Sequence, residues 1–367
     1  MATTYQIFAD FPDHRVTARC IYSISDLLTI SLLTYLCGGE DYVDMSEFAH
    51  VRARDFNLLT DNDTSPSPDT FERLMSAVCP EELRRCLSEH GRSFLSSLGE
   101  KQVAIDGKKL RGAGPRTNGT RGDYILSAYV TENHLLVGQE SVTDKENEIP
   151  AIPRLLDRLD IEGAVVSIDA AGTKATIAER IIKGGAHYFL AVKDNQPSLR
   201  EAVGYAFRCG RITDTSSEMD ADHGRVEERV CRIAAAESME DEDVLSKWPG
   251  VRTVVEVTSS VTTSEGTTSS VRHYISDEGH PSAAYYAMLA RGHWGIENQL
   301  HWHLDVTFKE DACRARKGFA AQNLSTVRKL ALQIVKAHHD KRSVRKRLFR
   351  ASLSQDYLLE LLKGAII

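Results

Sequence analysis

At 367 residues, 42% hydrophobic and 26% charged, the chain has the composition of a globular protein long enough for two or three domains. No basic segment followed by an apolar run opens it, the most apolar stretch (24–37) is interrupted by Ser25, Asp26, Thr29, Ser31 and Thr34, and its seven cysteines lack CxxC spacing, which together exclude a secretory signal, a membrane span, a disulfide framework and a cysteine zinc site and point to the cytoplasm. The net charge of −7 is uneven: 309–350 holds 13 Lys+Arg against Glu310, Asp311 and Asp340, or +10, so the remainder carries −17 (−7 − 10), and that basic block reads either as a polyanion contact or as a solvated helical face.

Residues 1–98 read as a helical accessory domain. A core-type helix over 24–37 stops at Gly38-Gly39. Ser67-Pro68-Asp69 supplies a cap, a first-turn proline and a first-turn acid for a helix carrying Phe71, Leu74, Met75 and Val78, and Pro80-Glu81-Glu82 starts another. At Gln102 the pattern changes. A short apolar strand ends in Asp106, a Gly-rich basic stretch follows, and 124–131 with 134–142 has the composition of a hairpin. A short helix over 152–159 precedes a second buried-type strand, 164–168, which ends in Asp169. A helix over 173–183, a strand over 187–193 and a helix from Ser198 complete an alternation that predicts an α/β sheet with parallel central strands. Residues from about 210 to 280 break the rhythm with acidic loops and β-type runs at 225–233, 251–261 and 267–275, and read as a mostly β insertion. Helix resumes at Ser282, runs through 291–311 and returns over 320–338; 341–367 reads as a basic helical tail, leaving 99–340 as the main domain.

Arg291–Asp311 concentrates chemistry. As a helix it puts His293, Glu297 and His301 on one stripe, with Trp294, Leu300 and Leu304 on an apolar side. Asp106 and Asp169 each end an apolar strand, and in open α/β sheets such ends converge on sites. Either aspartate alone fits a turn or a helix cap; two with an isolated glutamate tip the balance towards a site. Three carboxylates from separate elements suit hard divalent cations, and two such ions about 3.5–4 Å apart serve in-line phosphoryl displacement. Lys108, Lys109 and Arg111 would then face a phosphate backbone, as would Arg314, Arg316 and Lys317 after the helix and Lys193 and Asn195 after a strand. Zinc held by His293, Glu297 and His301 is a competing reading, and Trp248 reads as the anchor of its Trp-Pro-Gly turn.

AIDGKKLRG (104–112), VSIDAAGT (166–173), HYFLAVKDNQPSL (187–199), HGRVEER (223–229) and HWGIENQLHWHLDVTFKEDACRAR (293–316) resemble, in order, the motifs of the H-repeat-associated group of bacterial insertion-sequence transposases; FPDHR (11–15) and SPDTFERL (67–74) resemble their accessory domain. The resemblance covers nearly the whole chain. It implies an RNase H-like DDE domain: a mixed α/β sheet flanked by helices, with Asp106, Asp169 and Glu297 as catalytic metal ligands and two Mg²⁺ ions, for which Mn²⁺ substitutes. It also implies DNA partners (terminal inverted repeats and target) and a homodimer on DNA. Phosphate-contact roles do not carry over from the family; the DNA contacts are read from charge and position, at Lys108, Lys109, Arg111, Lys193, Asn195, His293, His301, Arg314, Arg316 and Lys317. Where related DDE signatures have Arg and Lys around the glutamate, this chain has His293 and Leu304, and Lys174 stands where Gln is expected. A chain that binds DNA without chemistry is the alternative within the same family.

Overall fold

A computed structural model describes residues 6–16, 20–59, 64–113, 123–142, 149–222 and 224–363; part of the Gly-rich basic stretch (114–122) and His223 of the HGRVEER motif lie outside them. The strands are β1 (Gln102–Lys109), β2 (Tyr124–Val130), β3 (Leu135–Val142), β4 (Val165–Ile168), β5 (His187–Val192), β6 (Ile212–Asp222), β7 (Arg225–Ala235), β8 (Thr253–Thr263) and β9 (Gly266–Ser276). Among the described residues they form one nine-stranded sheet in the order β3-β2-β1-β4-β5-β9-β8-β7-β6. β1, β4 and β5 run parallel at its centre, β2 and β3 fold back antiparallel on one side, and β9 to β6 continue antiparallel on the other. The mixed RNase H-like sheet is therefore present, and the β insertion extends it instead of forming a body of its own.

One expectation fails here. Residues 212–222 are not an acidic loop but the edge strand β6. Its acids sit on the outermost strand, where charge discourages pairing with another sheet, and Asp214 Oδ2 accepts the Ala283 N–H at 2.8 Å at the start of a helix above it.

The helices are α1 (Ile24–Leu36), α2 (Tyr42–Arg52), α3 (Pro68–Ala77), α4 (Pro80–Arg92), α5 (Ala151–Leu156), α6 (Ala175–Lys183), α7 (Pro197–Cys209), α8 (Glu242–Lys247), α9 (Ala283–Ile296), α10 (Ala320–Ala337), α11 (Val344–Leu353) and α12 (Gln355–Lys363). Strand alternation divides them between two faces. Val103, Ile105, Val166, Ile168 and Leu190 pack on Ile152, Ile177, Ile181 and Val203 of α5, α6 and α7. On the other face Val165, Phe189 and Val255 meet Tyr286 and Leu289 of α9, while Ala104, Tyr129 and Leu136 meet α10. Trp248 is buried, as its turn suggested.

α10 lies in the centre of the second core, among α1, α3, α4 and the sheet, and Leu348, Leu358 and Leu361 of α11 and α12 join the same core as Leu28 of α1. That core runs without a break through residues 98 and 341. Burial of α10 also disposes of part of the basic block. Arg328 stacks 5.0 Å from the Tyr35 ring, and Lys329 Nζ donates to Ser127 Oγ and Gln139 Oε1, both at 3.0 Å. Neither cation faces a phosphate.

Gln102 ties three elements together. Its Nε2 donates to Ser167 Oγ of β4 and to the Leu289 carbonyl of α9, each at 2.8 Å. This close approach requires Gly292, because a Cβ there would collide with Gln102 Oε1. Gly292→Ala should cost about 1–3 kcal/mol in denaturant unfolding. Gly295→Ala, three residues on in the same helix where a Cβ meets nothing within 4 Å, should gain about 0.5–1 kcal/mol from helix propensity. Equal effects at the two positions would refute the tight seam between α9 and Gln102.

Candidate active site

Strand parity decides which way the two acids point. Val103 and Ile105 belong to the core beneath α5 and α6, so Gln102, Ala104, Asp106 and Lys108 face the α9 side. On β4, Val166 and Ile168 face the same core, so Val165, Ser167 and then Asp169 face α9. The parallel register pairs Ala104 with Ser167 and Ile105 with Ile168. Asp106 and Asp169 are thus the next residues on neighbouring strands, on one face, at roughly the 4.8 Å spacing of adjacent strands.

The third acid arrives on a helix that does not stay an α-helix. α9 ends at Ile296, and Glu297–His301 and His303–Thr307 are wound as π-helix. The single α-helix expected over 291–311 is corrected accordingly. The cause lies in the apolar residues: Ile296, Leu300, Leu304 and Phe308 are all buried and recur every four positions. At about 100° per residue, an α-helix overshoots by about 40° every four residues and would swing this stripe by about 120° over its length. The wider i→i+5 winding uses more residues per turn and turns the stripe back.

A polar stripe runs one residue ahead of the apolar one and meets the strand ends in sequence. His293 Nδ1 lies 3.1 Å from Ser167 Oγ on β4. Glu297 shares its surroundings with Asp169, Lys193 and Arg272. His301 Nδ1 lies 3.5 Å from Asp106 Oδ2 on β1, and Asp305 Oδ1 lies 2.7 Å from Lys108 Nζ, two residues further along the strand. Lys336 of α10 holds the first π turn by donating to the Gln299 carbonyl and Oε1 at 2.6 and 2.8 Å.

Each group has a distinct electrostatic state. Burial raises the Glu297 carboxyl above its usual range; Arg272 and Lys193 pull it down, and the charge of Asp169 pushes it up again. Burial lowers His293 to about 4 and His301 to about 3, so both imidazoles are neutral at pH 7. Asp169 Oδ1 accepts the Ala171 and Gly172 N–H groups at 3.1 and 3.4 Å, so it caps a short turn as well as facing Asp106. That turn is braced from outside, where Asn195 Nδ2 donates to the Ala170 carbonyl at 2.5 Å and Gln196 Nε2 to the Thr173 carbonyl at 2.9 Å.

The other expected residues separate. Lys109, Lys193, Arg314 and Lys317 are exposed, and Arg111 is exposed with Nε 3.6 Å from Asp311. Arg316, also exposed, donates to the Gly112 carbonyl at 3.0 Å. Lys108 departs from expectation: it is buried, with Asp305, Glu310 and Asp311 around its ammonium, and does not face a backbone phosphate. Trp294 departs as well. It is 37% exposed and lies under the Arg272 guanidinium, 4.3 Å from ring centroid to Cζ. The zinc set fails on geometry, because His293 and His301 turn to different strands; among the described residues the group whose ligand atoms all lie within 4.8 Å of one another is His338, His339 and Glu360.

Sequence reasoning missed Arg272, which is set by β9 above α9. Between β6–β9 and α9 lies a groove of about 650 Å³ lined by Arg225, Arg229, Arg272, Arg291, Trp294 and Asn298, the last adjacent to Glu297. Glu218 and Glu227 take up part of its charge, on Arg291 at 3.3 Å and Arg229 at 2.7 Å.

Residues 97–334 match the family model described as a transposase DDE domain, and 5–90 match that of the DDE_Tnp_1-associated domain. The chain is 31% identical over 366 residues to the H repeat-associated putative transposase YhhI of Escherichia coli (strain K12), covering 96% of each. It is 31% identical over 360 residues to the putative transposase YncI of Escherichia coli O157:H7, covering 96% of this chain and 92% of that one. It is also 34% identical over 262 residues to an uncharacterized protein in the dhlA 3′ region of Xanthobacter autotrophicus, covering 69% of this chain and 86% of that one.

The neutral imidazoles have a consequence for stability. In the unfolded chain a histidine titrates near 6.5, above the folded values of about 4 for His293 and about 3 for His301. Between those limits the unfolded state binds more protons, so the stability these sites permit is full above about pH 6.5 and declines as pH falls. Denaturant unfolding of His301→Asn between pH 7 and 4 should give a shallower dependence on pH than the parent chain. An identical slope would count against a buried neutral imidazole at this position.

Proposed function

This chain belongs to the DDE transposase family, and from that premise we propose that Asp106, Asp169 and Glu297 are the carboxylates with which it cuts DNA at the ends of an insertion sequence and joins those ends to target DNA. The observation that supports the reading is the register of β1 and β4: Asp106 within β1 and Asp169 just past β4 stand at the same level and face of adjacent parallel strands, and Glu297 is carried by the helical segment over that face. Such convergence of like charge is costly unless a cation offsets it.

The donor set fits Mg²⁺ or Mn²⁺, being all carboxylate oxygen. When bound, the ions would supply positive charge to the phosphoryl oxygens and make the attacking hydroxyl more acidic. The chain's own residues supply orientation. Neutral His301 lies beside the Asp106 carboxylate, its Nδ1 3.5 Å from Oδ2, and limits the directions that carboxylate can take. The Ala171 and Gly172 N–H groups fix the plane of Asp169. In the first reaction a water oxygen bonds to phosphorus and the 3′ oxygen leaves as a hydroxyl. In the second, that hydroxyl bonds to a target phosphorus and one target P–O bond breaks, so no outside energy source is needed.

The groove beneath β6–β9 offers arginines for the phosphates and an exposed indole for a base, the two elements of single-strand contact. Lys109, Lys193, Asn195, Arg314 and Lys317 extend the same exposed surface in the proposal, and bringing two element ends together would call for two copies of the chain. A DNA-binding protein without chemistry is the second reading.

The test uses the purified full chain and duplex DNA bearing its element's inverted repeats. With Mg²⁺ the parent should cleave; Asp169→Asn should lose on the order of 10³-fold, the rate equivalent of several kcal/mol, while keeping its DNA affinity. Mg²⁺ should raise the melting temperature of the parent but not of Asp169→Asn. Undiminished cleavage by Asp169→Asn would overturn the site, and no Mg²⁺ response in the parent would favour the binding-only reading. Arg272→Ala should weaken DNA binding and lower the salt dependence by about one phosphate contact; unchanged binding would remove the groove from the DNA path.

A further inference from the structure

We propose that Lys108 is a positioning residue of the active site: its ammonium, gripped by Asp305, Glu310 and Asp311, sets the distance between Asp106 on β1 and Glu297 on the crossing helix. This rests on the assignment of Asp106 and Glu297 to the site.

Three carboxylate oxygens converge on Lys108 Nζ, from Asp305 at 2.7 Å, Glu310 at 3.0 Å and Asp311 at 3.1 Å. The lysine side chain is 8% exposed and that of Glu310 2%. All three acids lie on the segment that carries Glu297, Asp305 within its second π-wound stretch and Glu310 and Asp311 just after it. Lys108 and Asp106 are two apart on a strand, so they share a face about 6.6–6.8 Å apart. His301 and Asp305 are four apart on the π-wound segment and likewise share a face. Strand and helix are therefore joined at two points, His301 to Asp106 and Asp305 to Lys108, and two points fix both translation and tilt. Gly107 between the strand residues secures the register, since the Tyr124 ring fills the space its Cβ would occupy.

The choice of residue follows from the geometry. Three carboxylates approaching from different directions suit a compact point charge; the planar guanidinium of arginine favours two oxygens side by side. A structural brace alone could sit anywhere along the helix. This one lies one strand pleat from Asp106 and eight residues from Glu297.

The measurement is made on the full chain with three variants. Lys108→Met leaves the buried Glu310 and the partly exposed Asp305 and Asp311 without their cation and is the variant most exposed to misfolding. Asp305→Asn is milder, because Asp305 is 34% exposed and Lys108 keeps Glu310 and Asp311. Asp305→Asn should keep the parent's melting temperature and DNA affinity. Its cleavage rate should fall, or its half-saturating Mg²⁺ rise, by about 10- to 100-fold, the range for residues that orient metal ligands. Lys108→Arg should not restore the parent's Mg²⁺ dependence. Unchanged rate and Mg²⁺ dependence in Asp305→Asn overturns the proposal, as does a loss that merely tracks a lowered melting temperature. Asp169→Asn separates this from the site assignment: if it is inactive while Asp305→Asn is normal, only the positioning role fails.

Discussion

The structure depends on one helical segment keeping two stripes aligned over three turns. Ile296, Leu300, Leu304 and Phe308 must all reach the core, and His293, Glu297, His301 and Asp305 must all reach the ends of β4 and β1. Both sets repeat every four residues, and no α-helix holds such a repeat on one side for that long. The π winding after Ile296 resolves the conflict. Its poorer packing along the axis is offset by burial of Leu300, Leu304 and Phe308, each contributing roughly 1.5–3 kcal/mol. Lys336 adds a direct hold on the Gln299 carbonyl within the first π turn.

From that alignment follows the separation of charge at the strand ends. The imidazoles between the acids are neutral because burial removes their protons, so they orient without adding positive charge. The charges of Arg272 and Lys193 act on Glu297, and Lys108 is occupied by its own three acids. Under the proposed assignment, the surroundings of Asp106, Asp169 and Glu297 are left rich in carboxylate, a condition that favours a divalent cation.

How far this was legible in the sequence can be judged residue by residue. The two acids were legible, because an apolar run leading into Asp marks a strand, but only Asp169 follows a strand end: β4 stops at Ile168, whereas β1 carries Asp106 within it and runs on to Lys109. Their shared face was legible too, once parity was counted. The π winding was not read from 291–311, although the four-residue spacing of Ile296, Leu300, Leu304 and Phe308 states it: an α-helical core stripe mixes steps of three and four. Lys108 was misread because Gly107-Lys108-Lys109 looks like an exposed basic turn, whereas β1 continues through it and alternation buries one lysine and exposes the next. Arg328 and Lys329 belong to the basic block for a similar reason; charge alone does not tell a solvated helix from one lying inside a core, where both are buried. Strand β6 was hidden because its acids resemble a loop until a neighbour supplies the hydrogen bonds.

The same core ties the N-terminal helices to the segment that carries Glu297. α10 touches α1, α3 and α4 on one side and the π segment and β3 on the other. Through Lys336 it holds the turn that begins with Glu297, and through Lys329 it holds Ser127 of β2, the strand residue paired with Asp106. Burial lowers both ammonium groups to about 8, so each is retained against a desolvation cost that a leucine would avoid. A fully apolar α10 would pack as well against α1, but it would have no directional hold on either the helix or the strand. The buried lysines convert a packing interface into a fixed alignment, and the alignment is what the acids require.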